Sequence, residues 1–227
     1  MKILFIVQAR VNSNRLHAKS IIPIFKKKSS LDFIIEKAKK IKLIDSIYIA
    51  SGPKKKNMKI FNKFKNKKIN LFFGYEKNVR KRFEIIQKKE NADIIIRATG
   101  DNPLIDIDLI KYLLNYIKKK SNISYLKVHN KFVSPGFCVE VFKSIYFLQH
   151  LKSNNTNFAK EHVTVHMQNK SGSKILIPPK KFHTPLIRVT LDTITDYKFL
   201  RLIFSKKKDP KIKNLKNFLK SYIKNKR

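Results

Sequence analysis

Three segments carry side chains whose types and spacing could do chemistry, and each follows a run of apolar residues. The first, Gln8-Ala9-Arg10-Val11-Asn12-Ser13-Asn14-Arg15-Leu16-His17-Ala18-Lys19, sets cations at 10, 15 and 19 in one loop. Such a loop can surround a triphosphate, with backbone N–H groups adding to the cradle. It is not a Walker A loop, because no Gly-x-x-x-x-Gly-Lys is present. The second, Thr99-Gly100-Asp101-Asn102-Pro103-Leu104-Ile105-Asp106, puts an isolated carboxylate, Asp101, beside a glycine that permits close backbone approach. A carboxylate so placed suits Mg²⁺, which takes one or two carboxylates plus substrate phosphates. In the third, residues 190–197, Thr195 or Asp196 can cap the helix that follows, leaving Asp192 as a second ligand. Asp101 and Asp192 could then share one Mg²⁺ against a triphosphate; turn formation and capping are the competing roles. Asp106 and Asp108 spell Asp-x-Asp, but at a helix start they read as cap and dipole partners.

These segments need a scaffold that brings them together, and the apolar pattern supplies one. Residues 2–7, 46–50, 69–73 and 93–98 read as buried strands. They alternate with helices at 31–41, 58–64, 79–89 and 106–119, the last with Asp106 as N-cap. Strands alternating with helices imply βαβ units and a mostly parallel sheet covered on both faces. Ligands of such sheets sit beyond the carboxyl ends of the strands, which places 8–19, 50–53 and 99–103 on a common rim. The second half is less regular. It suggests strands at 137–142, 174–177 and 187–190 and helices at 158–168 and 195–204. Leu215, Phe218, Leu219, Tyr222 and Ile223 form an apolar stripe on a basic final helix at about 211–224, docked on the body with its lysines in water. Without repeats or a Pro/Gly-rich linker, residues 1–227 read as one domain.

The net charge is +37 over 227 residues, which invites a nucleic-acid hypothesis. Of the cations only eight are arginines, whereas base readout and bidentate phosphate clamps favour arginine. The abundance of Lys, Ile and Asn is what A/T-rich codons deliver, so the charge reads as composition and no specific nucleic-acid partner is expected. The field still draws in nucleotide triphosphates. The longest apolar run, 3–7, is far short of a membrane span or a secretory segment. Cys138 is the single cysteine, which excludes a disulfide framework and points to a cytoplasmic setting. Flanked by Phe137 and Val139, it reads as a buried, inert thiol. His162 and His166 match the histidine spacing of a zincin helix, but Glu161 precedes the pair where that motif needs Glu between them. Zinc is therefore not expected, and His162 has a bland alternative as a helix-packing histidine.

Six blocks in order resemble the cytidylyltransferases of the spore-coat polysaccharide type, relatives of the acylneuraminate and 3-deoxy-manno-octulosonate cytidylyltransferases. They are Gln8-Ala9-Arg10 with Ser13-x-Arg15-Leu16-x-x-Lys19; Gly74-Tyr75-Glu76-Lys77-Asn78-Val79-x-x-Arg82-Phe83; Arg97-Ala98-Thr99-Gly100-Asp101-Asn102-Pro103; Val139-Glu140-Val141-Phe142; Glu161-His162-Val163-Thr164; and Leu191-Asp192-Thr193-x-x-Asp196-Tyr197. The resemblance implies a Rossmann-like α/β nucleotide-diphospho-sugar transferase fold. It implies activation of a sugar acid as its CMP ester from CTP, with release of pyrophosphate, for a surface polysaccharide or glycan. It also implies a homodimer. Arg10, Arg15 and Lys19 would hold the phosphates, Gln8 and Ala9 would lie near the base, and Thr99, Gly100, Gly74, Asn78 and Arg82 by the nucleotide. Asp101 and Asp192 would bind Mg²⁺, and Glu140, Glu161 and His162 would face the sugar. Two alternatives stand beside it: a glycosyltransferase of similar fold, and a catalytically weakened basic binding protein. The first loop departs from its relatives at Val11, Asn12, Asn14, His17 and Ala18, where Asn12 could take the left-handed conformation in place of a glycine. Cys138 stands where many relatives carry Asp.

Overall fold

The apolar run 3–7 builds an inner strand of a seven-stranded sheet. The computed structural model describes residues 1–13, 15–207 and 210–225; Asn14 of the first loop lies outside the described residues. In chain order the strands are β1 (Ile3–Gln8), β2 (Pro23–Phe25), β3 (Lys28–Ser29), β4 (Ser46–Ser51), β5 (Asn70–Phe73), β6 (Ile94–Thr99), β7 (Tyr125–Val128), β8 (Glu140–Lys143) and β9 (Ser173–Leu176). The helices are α1 (Ser30–Lys39), α2 (Met58–Phe64), α3 (Val79–Glu90), α4 (Ile107–Lys119), α5 (Ser144–Gln149), α6 (Asn157–His162), α7 (Ile194–Lys206) and α8 (Ile212–Lys224). The main sheet runs β5-β4-β1-β6-β8-β7-β9, while β2 and β3 form a separate hairpin. Only β8 opposes the common direction, pairing antiparallel with both β6 and β7.

Both faces of the sheet are covered because the strand side chains alternate between two cores. Ile3, Phe5 and Val7 of β1 enter one core with Leu31, Leu113 and Phe204; Leu4 and Ile6 enter the other with Phe83 and Phe147. That double burial explains the unbroken apolar runs of the parallel strands. Asp106 caps α4 as read, accepting from the Leu109 N–H at 2.9 Å. The final helix docks as expected: Leu215 and Leu219 are buried, and Tyr222 stacks on Phe199 at 4.3 Å between centroids.

The second half corrects several expectations. Strand β8 begins only at Glu140, because Gly136 turns the chain at φ +107° and the Phe137 carbonyl accepts from the Asp106 N–H, away from the ladder. A Cβ on Gly136 would lie 2.7 Å from the Val189 backbone, so only glycine fits that approach. Residues 187–190 form no strand: Val189 and Leu191 bond to the carbonyls of Pro135 and Asp101 in loops, with no strand beside them to complete a ladder. The helix expected over 158–168 stops at His162. Val163 sits at φ 57°, ψ −54°, and the Thr164 N–H reaches the His162 carbonyl at 2.6 Å, a strained γ-turn. The turn lets Val163 and Met167 both enter the second core and separates His162 from His166, so the two histidines share no helix face. Helix α7 is capped by Thr193, not Thr195 or Asp196; Thr193 and Asp196 form a reciprocal capping box. Strand β7, helix α5 and the small hairpin have no counterpart in the sequence reading, being too short for periodicity to show.

Candidate active site

The carboxyl ends of β1 and β6 open into a cleft of about 260 Å³. Gln8, Ala9, Arg10, Arg15 and Lys19 line it from the first loop, Thr99, Gly100 and Asp101 from the end of β6, Arg82 from α3, and Glu161 and His162 from α6. Close strand contact brings the first two segments together. The Gly100 N–H donates to the Gln8 carbonyl at 2.8 Å, and a Cβ at Gly100 would crowd that oxygen at 3.0 Å. A further backbone bond, Leu191 N–H to the Asp101 carbonyl at 2.8 Å, delivers Asp192 to the same edge from ninety residues away in the chain.

The centre of the arrangement is one ammonium between two carboxylates. Lys19 Nζ lies 2.9 Å from Asp101 Oδ2 and 2.5 Å from Asp192 Oδ1. Arg15 and Arg188 also pair with Asp192, the former at 3.3 Å. Burial raises the Asp192 carboxyl, but its bond to Lys19 and the charges of Lys19, Arg188 and Arg15 outweigh that and hold it below the usual carboxylate range. Because both carboxylates reach one cationic centre, their donor set fits a single divalent cation. The capping box at Thr193–Asp196 leaves the Asp192 side chain out of cap duty.

Backbone strain sits at the far end of the same loop. Ala18, not Asn12, adopts positive φ (54°), and its N–H closes the loop onto the Val11 carbonyl at 2.8 Å. Asn57 pins the near end, its Oδ1 accepting from the Val11 N–H at 2.9 Å.

Three expected residues, Gly74, Asn78 and Glu140, stand outside this cleft, and Arg82 only borders it. Arg82 borders the cleft but is buried, and its guanidinium donates to the carbonyls of Tyr75, Glu76 and Ala50, clamping the loop after β5. Gly74 and Asn78 do not line the cleft. Gly74 bonds to the Ser51 carbonyl at 3.1 Å, and Asn78 caps α3 through the Lys81 N–H. Glu140 is 9% exposed, and its oxygens accept from Arg97, Tyr125 (2.8 Å) and Thr164 (2.9 Å). Three protein donors thus take most of its roughly four acceptor positions. Burial raises its carboxyl, but the charge and hydrogen bond of Arg97, the bond from Tyr125 and the charge of Lys127 together outweigh burial and depress it. Glu161 and His162 are exposed at the cleft mouth; Glu161 pairs with Arg10 at 3.4 Å, and His162 packs on Phe158. The packing histidine is His166, buried against Phe147 and lowered to about 4 by desolvation.

Arg97 was missed. It holds the Gln8 Oε1 at 3.0 Å through Nε and Glu140 through Nη1, and it lines the cleft. The signal was present: an arginine at the end of an isoleucine run, two residues before Thr99 and therefore on the same face. Arg188 and Thr164 were missed too, and for them nothing in the sequence marks the partner.

A mostly parallel α/β sheet with a cationic cleft at its carboxyl rim and two carboxylates meeting on one charge defines a nucleotidyltransferase of Rossmann-like fold. The chain belongs to the cytidylyltransferase family, whose model matches residues 4–223. It is 35% identical over 201 residues to the uncharacterized protein MJ1063 of Methanocaldococcus jannaschii, covering 87% of this chain and 81% of that one. It is 26% identical to the spore coat polysaccharide biosynthesis protein SpsF of Bacillus subtilis, over 90% and 87% of the two chains. A cytidylyltransferase from Leptospira borgpetersenii shares the fold with a TM-score of 0.88 at 24% identity, covering 99% of this chain and 96% of its own. A CMP:2-keto-3-deoxy-manno-octonic acid synthetase solved with CTP aligns at a TM-score of 0.69 and 13% identity, over 91% and 99% of the chains.

Proposed function

We propose that this chain transfers CMP from CTP to a hydroxyl of a sugar acid, releasing pyrophosphate, in the cytoplasmic synthesis of a surface polysaccharide or glycan. The observation that carries this reading is the Asp101–Lys19–Asp192 bridge set beside Arg10 and Arg15 in one cleft. The family and the relative in polysaccharide biosynthesis support the substrate class.

Arg10, Arg15 and Lys19 neutralise the triphosphate and hold it in the cleft. Arg97 holds Gln8 Oε1, which leaves the donor end of that amide for an acceptor on the base. Asp101 and Asp192 would hold Mg²⁺, which when bound supplies charge neutralisation at the phosphates. The acceptor oxygen bonds to the α-phosphorus as the bond from that phosphorus to the bridging oxygen breaks. Pyrophosphate leaves with the electron pair, and the hydroxyl proton passes to solvent. Nothing here demands a covalent enzyme intermediate, so the protein contributes position and charge.

The test is thermal stability with each nucleotide, followed by turnover. CTP with Mg²⁺ should raise the melting temperature above the shifts from ATP, GTP or UTP, since ligands of the native state stabilise by RT ln(1 + [L]/Kd). Pyrophosphate should then appear with CTP and a sugar acid. Equal shifts from all four nucleotides would remove the cytidine assignment, and turnover of a nucleotide sugar in place of CTP would favour a glycosyltransferase.

A further inference from the structure

Two roles compete for one side chain in the cleft. Holding a triphosphate calls on the ammonium of Lys19. In the structure that ammonium already bridges two carboxylates, 2.9 Å from Asp101 Oδ2 and 2.5 Å from Asp192 Oδ1. A lysine is a single compact charge, so it cannot compensate both carboxylates and a phosphate at once.

The backbone on either side of Lys19 is tied. The Ala18 N–H donates to the Val11 carbonyl at 2.8 Å, and the Leu31 N–H to the Ser20 carbonyl at 3.0 Å. The lysine stem is flexible, so the ammonium can swing while the loop stays in place. Its surroundings decide when it does. Arg10 and Arg15 line the same cleft. Without an anion there, an ammonium driven off the carboxylates meets those cations, and like charges repel. A metal ion arriving alone must also break two charge-assisted hydrogen bonds, which are the strong class. Once a triphosphate lies in the cleft, the ammonium exchanges carboxylate oxygens for phosphate oxygens. A triphosphate arriving alone finds Lys19 engaged and two carboxylates beside it. Each ligand removes the obstacle to the other, and such coupling is reciprocal.

We propose that Lys19 is an internal stand-in for the divalent cation. It holds the Asp101–Asp192 pair in the free protein and passes to the triphosphate as the cation enters, so metal and nucleotide bind as a pair. This role rests on the nucleotidyltransfer reading and adds a condition to it: neither ligand settles in the cleft alone.

The experiment measures metal and nucleotide separately on the full chain. Mn²⁺ is the metal probe, because its paramagnetic resonance signal falls as the free ion is bound; CTP is followed by calorimetry with and without metal. Lys19→Met removes the stand-in. Arg10→Met removes one positive charge from the same cleft but no bond to Asp101 or Asp192, since its partner is Glu161 at 3.4 Å. Without nucleotide, Lys19→Met should bind Mn²⁺ about tenfold or more tightly than wild type, the size expected when a charged hydrogen bond no longer has to be broken. Lys19→Gln, neutral but polar, should do the same. Arg10→Met should change that affinity far less, and Lys19→Arg, which keeps a cation between the carboxylates, should leave it near wild type. Added CTP should then tighten Mn²⁺ binding less in Lys19→Met than in wild type. Free CTP and metal associate equally in every titration, so the difference between proteins is the readout. Mn²⁺ affinity unmoved by Lys19→Met and Lys19→Gln, or raised equally by Arg10→Met, overturns the stand-in role. No CTP binding by wild type even with metal would instead overturn the nucleotide reading on which it rests.

Discussion

Two clusters in this protein put a cation on a carboxylate, and they do opposite things with the pair. At the rim, Lys19 joins Asp101 and Asp192, with side chains between 13% and 24% exposed and loops on every side. Inside the sheet, Arg97 joins Glu140 with both side chains 11% exposed, and Tyr125 and Thr164 complete the carboxylate's hydrogen bonds. Among the described residues the rim oxygens pair with the cationic side chains of Lys19, Arg15 and Arg188, which can give way to a ligand. Those of Glu140 meet groups anchored on β6, on β7 and at the γ-turn after α6. Both clusters looked alike as acidic residues in the blocks that carry the family resemblance. What separates a ligand site from a structural one is how many of the carboxylate's hydrogen-bonding positions the fold has already used.

That contrast predicts different failures. Asp101→Asn and Asp192→Asn keep shape and remove charge. Turnover with CTP should fall by about 100-fold or more, while stability changes by no more than about 1 kcal/mol. The double variant should be scarcely worse than either single one, because residues serving one ion act as a unit. Steady-state kinetics beside denaturant melts would decide it, and near-normal turnover in either variant would take that residue out of the site.

Glu140→Gln should fail the other way. Removing one partner strands Arg97 in the sheet at a cost of about 3–5 kcal/mol, read as a lower urea midpoint. Its folded-state carboxyl is depressed, so its stabilisation is present above the unfolded value of about 4.3 and is lost as pH falls through the folded value. The wild-type stability curve should therefore drop on acidification below pH about 4, and the Gln variant should show a flatter limb. A Gln variant as stable as wild type would erase the distinction between the clusters.

The smallest effect lies in the loop that carries Lys19. Ala18 holds a left-handed backbone that costs a non-glycine residue about 1–2 kcal/mol. Ala18→Gly relieves it but adds freedom to the unfolded chain, for a net gain of about 0.5 kcal/mol. A melting temperature below that of wild type would show that Ala18 is not strained.

The sequence by itself determined much of the first half. Long apolar runs alternating with amphipathic helices specify βαβ units, and parallel strands place residues 8–19 and 99–103 at one rim whatever the details. The expected helix at 58–64 matches α2 residue for residue, and Arg10, Arg15, Lys19 and Asp101 all reach the cleft. Local pattern suffices there because each element buries itself by its own periodicity. The second half depends on contacts between distant residues. Whether 158–168 stays helical is decided by Val163 and Met167 both finding the second core, which forces the γ-turn. Whether Glu140 is a ligand or a buried brace is decided by Tyr125, Thr164 and Arg97, which arrive from three other elements. Only the packed sheet sets Glu140 in register between Arg97 and Lys127, because register across strands, and not spacing along the chain, sets which charges meet.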